Sequence, residues 1–209
     1  VRKKGPGRPP VTTHALIEEI AFRLFDEQGF DNTTVEQIAD AAGIARRTLF
    51  RYYPSKNDIP WGQFDESLRH LAQHLREMPT DVSTAEAVQE SVKAFNHVDP
   101  AAVEQHRRRM RLLMNTPALQ AHATLRHGAW RAVIASYVAQ RHGMSPDDLH
   151  PRTIGRVALA LALSAYQQWL EDEQTSLPGL LDEAFAALHH HLDDQRAVIP
   201  ERRAAGTGQ

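Results

Sequence analysis

Arg46, Arg47 and Arg51 crowd one short segment, together with Thr48, Phe50 and Tyr52. On a helical wheel Arg46, Arg47, Phe50 and Arg51 point one way. Ala45, Leu49 and Tyr52 point the other way, with Tyr53 at the edge. Guanidinium groups on one helical face support a defined chemistry: the planar fork donates two N–H bonds to guanine O6 and N7. Residues near a helix N-terminus reach base edges first. A basic face can also be merely solvated. Phe50 weighs against that, because an apolar ring exposed beside charge marks a contact surface.

The elements that must position these groups can be read from the flanking residues. Thr33 stands three residues before Glu36, the capping-box spacing for a helix start. Val35, Ile38, Ala39 and Ala42 then repeat at helical spacing and define one buried face. Gly43 supplies the positive φ that ends the helix. The next helix must stop before Pro54, which disfavours helical geometry in the residue ahead of it. Two short helices around a Gly-containing turn form a helix-turn-helix.

Charge is polarised along the chain. The net charge is −2, yet residues 2–8 hold four bases and no acid, and residues 46–56 hold four bases and no acid. Residues 18–40 hold seven acids and one base. Two basic patches near one end are a footprint for a polyanion. The first of them, in residues 1–11, is rich in Gly and Pro and reads as a disordered basic arm. Its Gly7-Arg8-Pro9 core resembles a minor-groove hook, in which Arg8 enters a narrow A·T groove. The same composition also fits a tail that only adds non-specific phosphate attraction.

Thr12 or Thr13 caps a first helix that buries Ile17, Ile20, Ala21, Leu24 and Phe25 and stops at Gly29. This completes a three-helix unit over residues 12–59. Residues 60–192 carry six further helical patterns and no strand pattern, so the fold class is all-α. A helix over residues 117–142 would be roughly 39 Å long at the standard rise. A helix over 152–172 contains VALALALSA, apolar on every side, and so needs burial on every side. A two-fold dimer through the last two helices meets that need and suits a palindromic operator. The alternative is the central helix of a monomer. Residues 193–209 read as a disordered tail.

The run from Ile17 to Ile59 resembles the DNA-binding domain of the TetR family of bacterial regulators. The matching residues are Ala21, Leu24-Phe25, Gly29-Phe30, Thr33-Thr34, Ile38-Ala39, Ala42-Gly43-Ile44, Thr48-Leu49-Phe50 and Pro54-Ser55-Lys56. The stretches Pro54–Asp65 and His106–Ala135 resemble the mycofactocin-system regulators, a subgroup of that family. The resemblance implies base reading by Arg46 and Arg47, and phosphate contacts from Thr34, Thr48, Arg51, Tyr52 and Lys56. Many relatives carry Tyr where this chain has Phe50. That ring lacks the hydroxyl and is left with apolar contact, such as a thymine methyl. Tyr52 is turned inward by the wheel and outward by the resemblance. A tyrosine with a packed ring and an outer hydroxyl satisfies both.

In TetR relatives the helices after the DNA-binding domain enclose an effector pocket. Here His122, Arg126 and Trp130 lie at i, i+4 and i+8 on the long helix, and the preceding helix offers His106, Arg109, Met110 and Met114. Aromatic and Met side chains with a few polar groups suit a small, partly apolar ligand, and an acyl-CoA is the expected class. The same stripe also reads as ordinary core.

Other chemistries find little support. Cysteine is absent, which excludes disulfides and thiolate sites. His70 and His74 stand at chelating i, i+4 spacing, but no third ligand is evident in the sequence, so no metal site and no cofactor are expected. No nucleophile motif, Gly-rich phosphate loop or HExxH occurs, and no enzyme is expected. No apolar run of membrane-spanning length and no signal-peptide core occur, so a cytoplasmic protein with no membrane partner is expected. Two readings remain. One is a ligand-responsive, homodimeric repressor on an operator. The other is a helical binding or enzymatic protein that does not use its helix-turn-helix for DNA.

Overall fold

A computed structural model describes residues 12–198, with side chains described through Asp193. Among the described residues every element is helical: nine α-helices and two 3-10 turns. The three head helices are α1 (His14–Gln28), α2 (Val35–Ala41) and α3 (Arg46–Tyr52). Thr13 caps α1 by accepting from Leu16 N at 3.2 Å, and Gly29 closes it at φ 85°. A 3-10 turn (Lys56–Trp61) leads into α4 (Phe64–Glu77), followed by α5 (Thr84–Phe95). Asp99 and Pro100 open a short 3-10 turn that runs into α6 (Val103–Asn115), and α7 (Pro117–His142) follows. The last helices are α8 (Leu149–Glu171) and α9 (Leu177–Val198).

Two boundaries differ from the sequence reading. Helix α8 starts at Leu149 and takes Pro151 into its first turn, where a missing N–H costs nothing because that group has no intrahelical partner. Helix α9 continues past residue 192 to Val198, through residues that include good helix formers and no Gly or Pro. Residues 193–198 are therefore helical, not tail. Residues 1–11 and 199–209, which include the basic arm and most of the expected tail, lie outside the described residues.

The chain folds as two compact units. One comprises the chain up to Phe64 together with Gln105–Thr124; the other comprises Asp65–Glu104 together with the chain from Leu125 on. The linear division at residue 59/60 does not anticipate this. The first unit has a continuous core of Ile17, Phe22, Phe25, Ile38, Leu49 and Ile59, which Leu113 of α6 and Leu119 of α7 join. Burying each of these leucines contributes about 1.5–3 kcal/mol, which ties the α6–α7 corner to the head.

In the second unit α8 packs mainly on α9. At Gly155 an added Cβ would fall 2.7 Å from the Arg131 carbonyl, so α8 runs against the α7 backbone there. Tyr166 donates to Asn96 Oδ1 at 2.9 Å and fastens α8 to the end of α5. Ala158, Ala162 and Ala165 are buried, whereas Val157, Leu159, Leu161 and Leu163 are only half-buried. No helix is long and apolar enough to cross a membrane among the described residues.

Candidate nucleic-acid interface

The frame beneath the arginines is set by local hydrogen bonds. The cap of α2 is Thr34, one residue later than the sequence suggested. Its hydroxyl accepts from Gln37 N at 3.2 Å, and Gln37 Oε1 accepts from Thr34 N at 2.7 Å. Both threonines precede a Glu or Gln by three residues, so spacing alone cannot choose between them. Burial decides. Thr33 is 1% exposed, and its hydroxyl donates to Gly29 O at 2.8 Å, locking the α1–α2 connection. Glu36 is thereby released from capping.

Gly43, at φ 66°, turns the chain between α2 and α3. Leu49 and Tyr53 then anchor α3 inward, at 1% and 2% exposure. Tyr53 belongs to the core and not to an edge. The helix ends at Tyr52 and Tyr53 is extended, so the wheel no longer describes it.

The outward face carries Arg46, Arg47, Phe50 and Arg51, all exposed, with Thr48 half-buried beside them. Arg46 Nη1 lies 2.9 Å from Glu36 Oε1, and its guanidinium carbon sits 5.3 Å from the Phe50 ring centroid. Arg47 and Arg51 form no ion pair or hydrogen bond among the described residues. Thr34 is exposed, and its hydroxyl proton is available at the start of α2. Arg46, Arg47 and Arg51 thus share the exposed face of α3 with Phe50. Arg8 lies outside the described residues.

Tyr52 and Lys56 have internal duties. Tyr52 donates its hydroxyl proton to Thr12 O at 2.7 Å and meets the His14 ring edge-on, so donation to a phosphate would require release of that bond. Lys56 Nζ donates to Phe30 O at 2.7 Å and Thr33 O at 2.8 Å, 4.3 Å from the Phe30 ring centroid. Partial burial also lowers its pKa. The phosphate contact expected of Lys56 therefore competes with two charge-assisted bonds that hold the α1–α2 connection. Lys56→Ala is expected to lower stability by about 1–3 kcal/mol in a denaturant titration. A pure phosphate ligand would leave the unfolding midpoint unchanged and reduce only the salt slope of DNA binding.

The residues expected to hold an effector divide between the two units. His106, Arg109, Met110, Met114 and His122 belong to the first unit, and Arg126 and Trp130 to the second. Arg109 pairs with Glu18 and donates to Pro60 O at 3.1 Å, while Tyr53 donates to the other Glu18 oxygen at 2.6 Å. His122 Nε2 sits 3.0 Å from Asp58 Oδ1, and Ser55 donates to Asp58 Oδ2 at 2.7 Å. Met110 packs against the head core. Burial, with the Arg109 guanidinium nearby, holds the pKa of His106 at about 4, so its imidazole is neutral at pH 7.

In the second unit Arg126 pairs with Asp65 at 3.0 Å. Trp130 is 3% exposed, with its ring edge-on to Phe95. A cavity of about 430 Å³ lies between α4 and α5, lined by Ser67, His70, Leu71, Gln73, His74, Glu77, Ser91, Ala94 and Phe95. Sequence reading considered His70 and His74 only as chelators. Among the described residues no group of three or more His, Asp or Glu is placed to hold a metal ion. Glu18 and Asp58, which hold Arg109 and His122, gave no sequence signal beyond their charge, and Glu36 showed only the capping-box spacing to Thr33.

Comparison with known proteins agrees with this geometry. Residues 17–59 match the model of bacterial regulatory proteins of the tetR family, and residues 82–193 match the MftR C-terminal domain. A Mycobacterium tuberculosis protein assigned as the mycofactocin biosynthesis transcriptional regulator MftR is 43% identical over 187 residues, covering 90% of this chain and 94% of that one. The HTH-type transcriptional regulator TcmR of Streptomyces glaucescens is 32% identical, covering 81% of this chain and 77% of its own. Two solved structures share the fold. Thermus thermophilus FadR, a TetR-family repressor in complex with lauroyl-CoA, aligns with TM-score 0.53 and 21% identity over 94% of this chain and 100% of its own. Bacillus subtilis FadR in complex with stearoyl-CoA aligns with TM-score 0.56 and 15% identity over 84% and 97%. These matches are to transcriptional regulators, not enzymes. A capped helix-turn-helix with arginines on its outer face, followed by a helical domain of the MftR type, makes this chain a member of the TetR family of transcriptional regulators.

Proposed function

We propose that the protein is a homodimeric repressor that releases a palindromic operator when it binds an acyl-CoA. The observation that carries the reading is the outer face of α3, where Arg46, Arg47 and Arg51 stand exposed on a helix anchored by Leu49 and Tyr53. Arg46 and Arg47 read base edges, and Thr34, Thr48 and Arg51 position the head on phosphates. Phe50 offers a thymine methyl contact. Tyr52 and Lys56 hold the frame; Lys56 keeps one N–H for the DNA backbone, and Tyr52 donates there only on releasing Thr12 O. Val157 and Leu161 on one flank of the buried alanine stripe of α8, and Leu159 and Leu163 on the other, stay half-buried and leave apolar area for a second copy.

The acyl-CoA assignment rests on the lauroyl-CoA and stearoyl-CoA complexes of the two FadR proteins. Arg126, one of the three cations considered for its head group, is paired with Asp65, whose side chain is 80% exposed. An anionic group that takes Arg126 from Asp65 frees the first turn of α4. A ligand shifts the equilibrium only by preferring that state.

The test is a gel shift of the full chain on the DNA upstream of its own gene, with and without lauroyl-CoA. Expected is a shift that lauroyl-CoA abolishes. Arg46→Ala is expected to cost about 1–3 kcal/mol on the operator and relax its sequence preference. A shift indifferent to lauroyl-CoA would retain the repressor and discard the effector class. No shift at low salt would overturn the reading of the head.

A further inference from the structure

Arg46 is the one α3 arginine that is already held. Its Nη1 is bound to Glu36 and its plane lies near Phe50, which leaves Nη2 and Nε for another partner. Glu36 is available because Thr34 and Gln37 make the cap that Glu36 could have served. The ion pair therefore joins the first turn of α2 to the first residue of α3. Both regions face the duplex when a helix-turn-helix docks.

Stability gives no reason for the carboxylate to turn to Arg46, because its place in the first turn of α2 suits the helix dipole with or without that partner, and affinity gives none either. The two side chains keep 62% and 54% of their exposure, and exposed ion pairs contribute little to stability. A negative charge beside phosphates opposes binding to every duplex alike. What the carboxylate does provide is a fixed direction for the Arg46 fork, together with a penalty wherever that fork finds no acceptor.

We propose that Glu36 is a specificity-determining residue of the head. It presets Arg46 against Phe50 for a bidentate contact with guanine, and its charge penalises duplexes that lack guanine at that step. The proposal rests on the reading of the head as DNA-binding.

It is tested with the full-length protein by enriching bound sites from a random-sequence duplex pool, for wild type, Arg46→Ala, Glu36→Gln and Glu36→Asp. Glu36→Gln removes the charge and keeps the size. It is expected to bind random duplex about tenfold more tightly and to lose sequence information at the same positions as Arg46→Ala. Glu36→Asp keeps the charge but shortens the reach. It is expected to lose those positions without gaining random-duplex affinity. The inference is overturned if Glu36→Gln keeps the wild-type motif and a specific-to-random ratio within twofold. It is equally overturned if the information lost lies at positions other than those lost by Arg46→Ala. A wild type that enriches no motif refutes the DNA-binding reading itself, a result distinct from a wild-type motif that Glu36→Gln leaves intact.

Discussion

Arg109→Ala is expected to destabilise the head by about 2–4 kcal/mol and to leave effector affinity with little direct change. The guanidinium spans two acceptors, a carboxylate oxygen of Glu18 and the Pro60 carbonyl. The Glu18 side chain is only 12% exposed, and its other oxygen accepts from Tyr53. Removing Arg109 leaves a largely buried carboxylate facing one neutral donor, and such a charge costs more than the intact pair contributes. Burial and the Glu18 bond also hold the Tyr53 hydroxyl pKa well above its ordinary value, so Tyr53 remains a neutral donor to Glu18. Arg109→Lys should recover only part of the loss, because an ammonium lacks the planar fork that serves both acceptors. Urea titration reads the outcome: the midpoint falls while the slope is unchanged. An unchanged midpoint with weakened acyl-CoA response would return Arg109 to the effector site.

Trp130→Ala carries the largest expected cost, about 3–5 kcal/mol, the range for deleting a buried aromatic. Trp130 is 3% exposed, with its ring centroid 6.1 Å from that of Phe95 at an interplanar angle of 70°. That edge-to-face arrangement contributes beyond the buried area. Trp130→Phe should cost much less, since it retains an apolar ring. Thermal and urea unfolding of the two variants separate the core role from a pocket role. A pocket-lining Trp130 would tolerate alanine with a small loss of stability and a large loss of effector response.

These variants also show how the chain divides between what is local and what is not. The helix-turn-helix was legible because its signals sit within a few residues of the groups they organise: the i, i+3, i+4 stripe of Val35, Ile38 and Ala39, Gly43 at the turn and Pro54 past the end. The outward face of α3 followed from the same period, and Phe50 keeps 37% exposure beside Arg46. Where two local signals were equal the sequence could not decide. Thr33 and Thr34 carry the same spacing, and only the burial of Thr33 against α1 makes Thr34 the cap.

The roles of α6 and α7 were not legible. His122 and Arg126 stand on one stripe and look like equal candidates for an effector, yet they fall in different units and answer to different carboxylates. Arg109 meets Glu18 across 91 residues of chain, and His122 meets Asp58 across 64. A residue's type gives its capacity to donate or accept, and its period gives the face it occupies. Which partner takes that capacity depends on packing between distant segments. By itself the sequence determined an all-α chain, a helix-turn-helix, and the face of α3 that carries its arginines. Only the tertiary structure decided that Gln105–Thr124 joins the head, that Lys56 is held by backbone carbonyls, and that Glu36 turns to Arg46. The reason is that burial and pairing between distant segments are set by the assembled core, which no local spacing encodes.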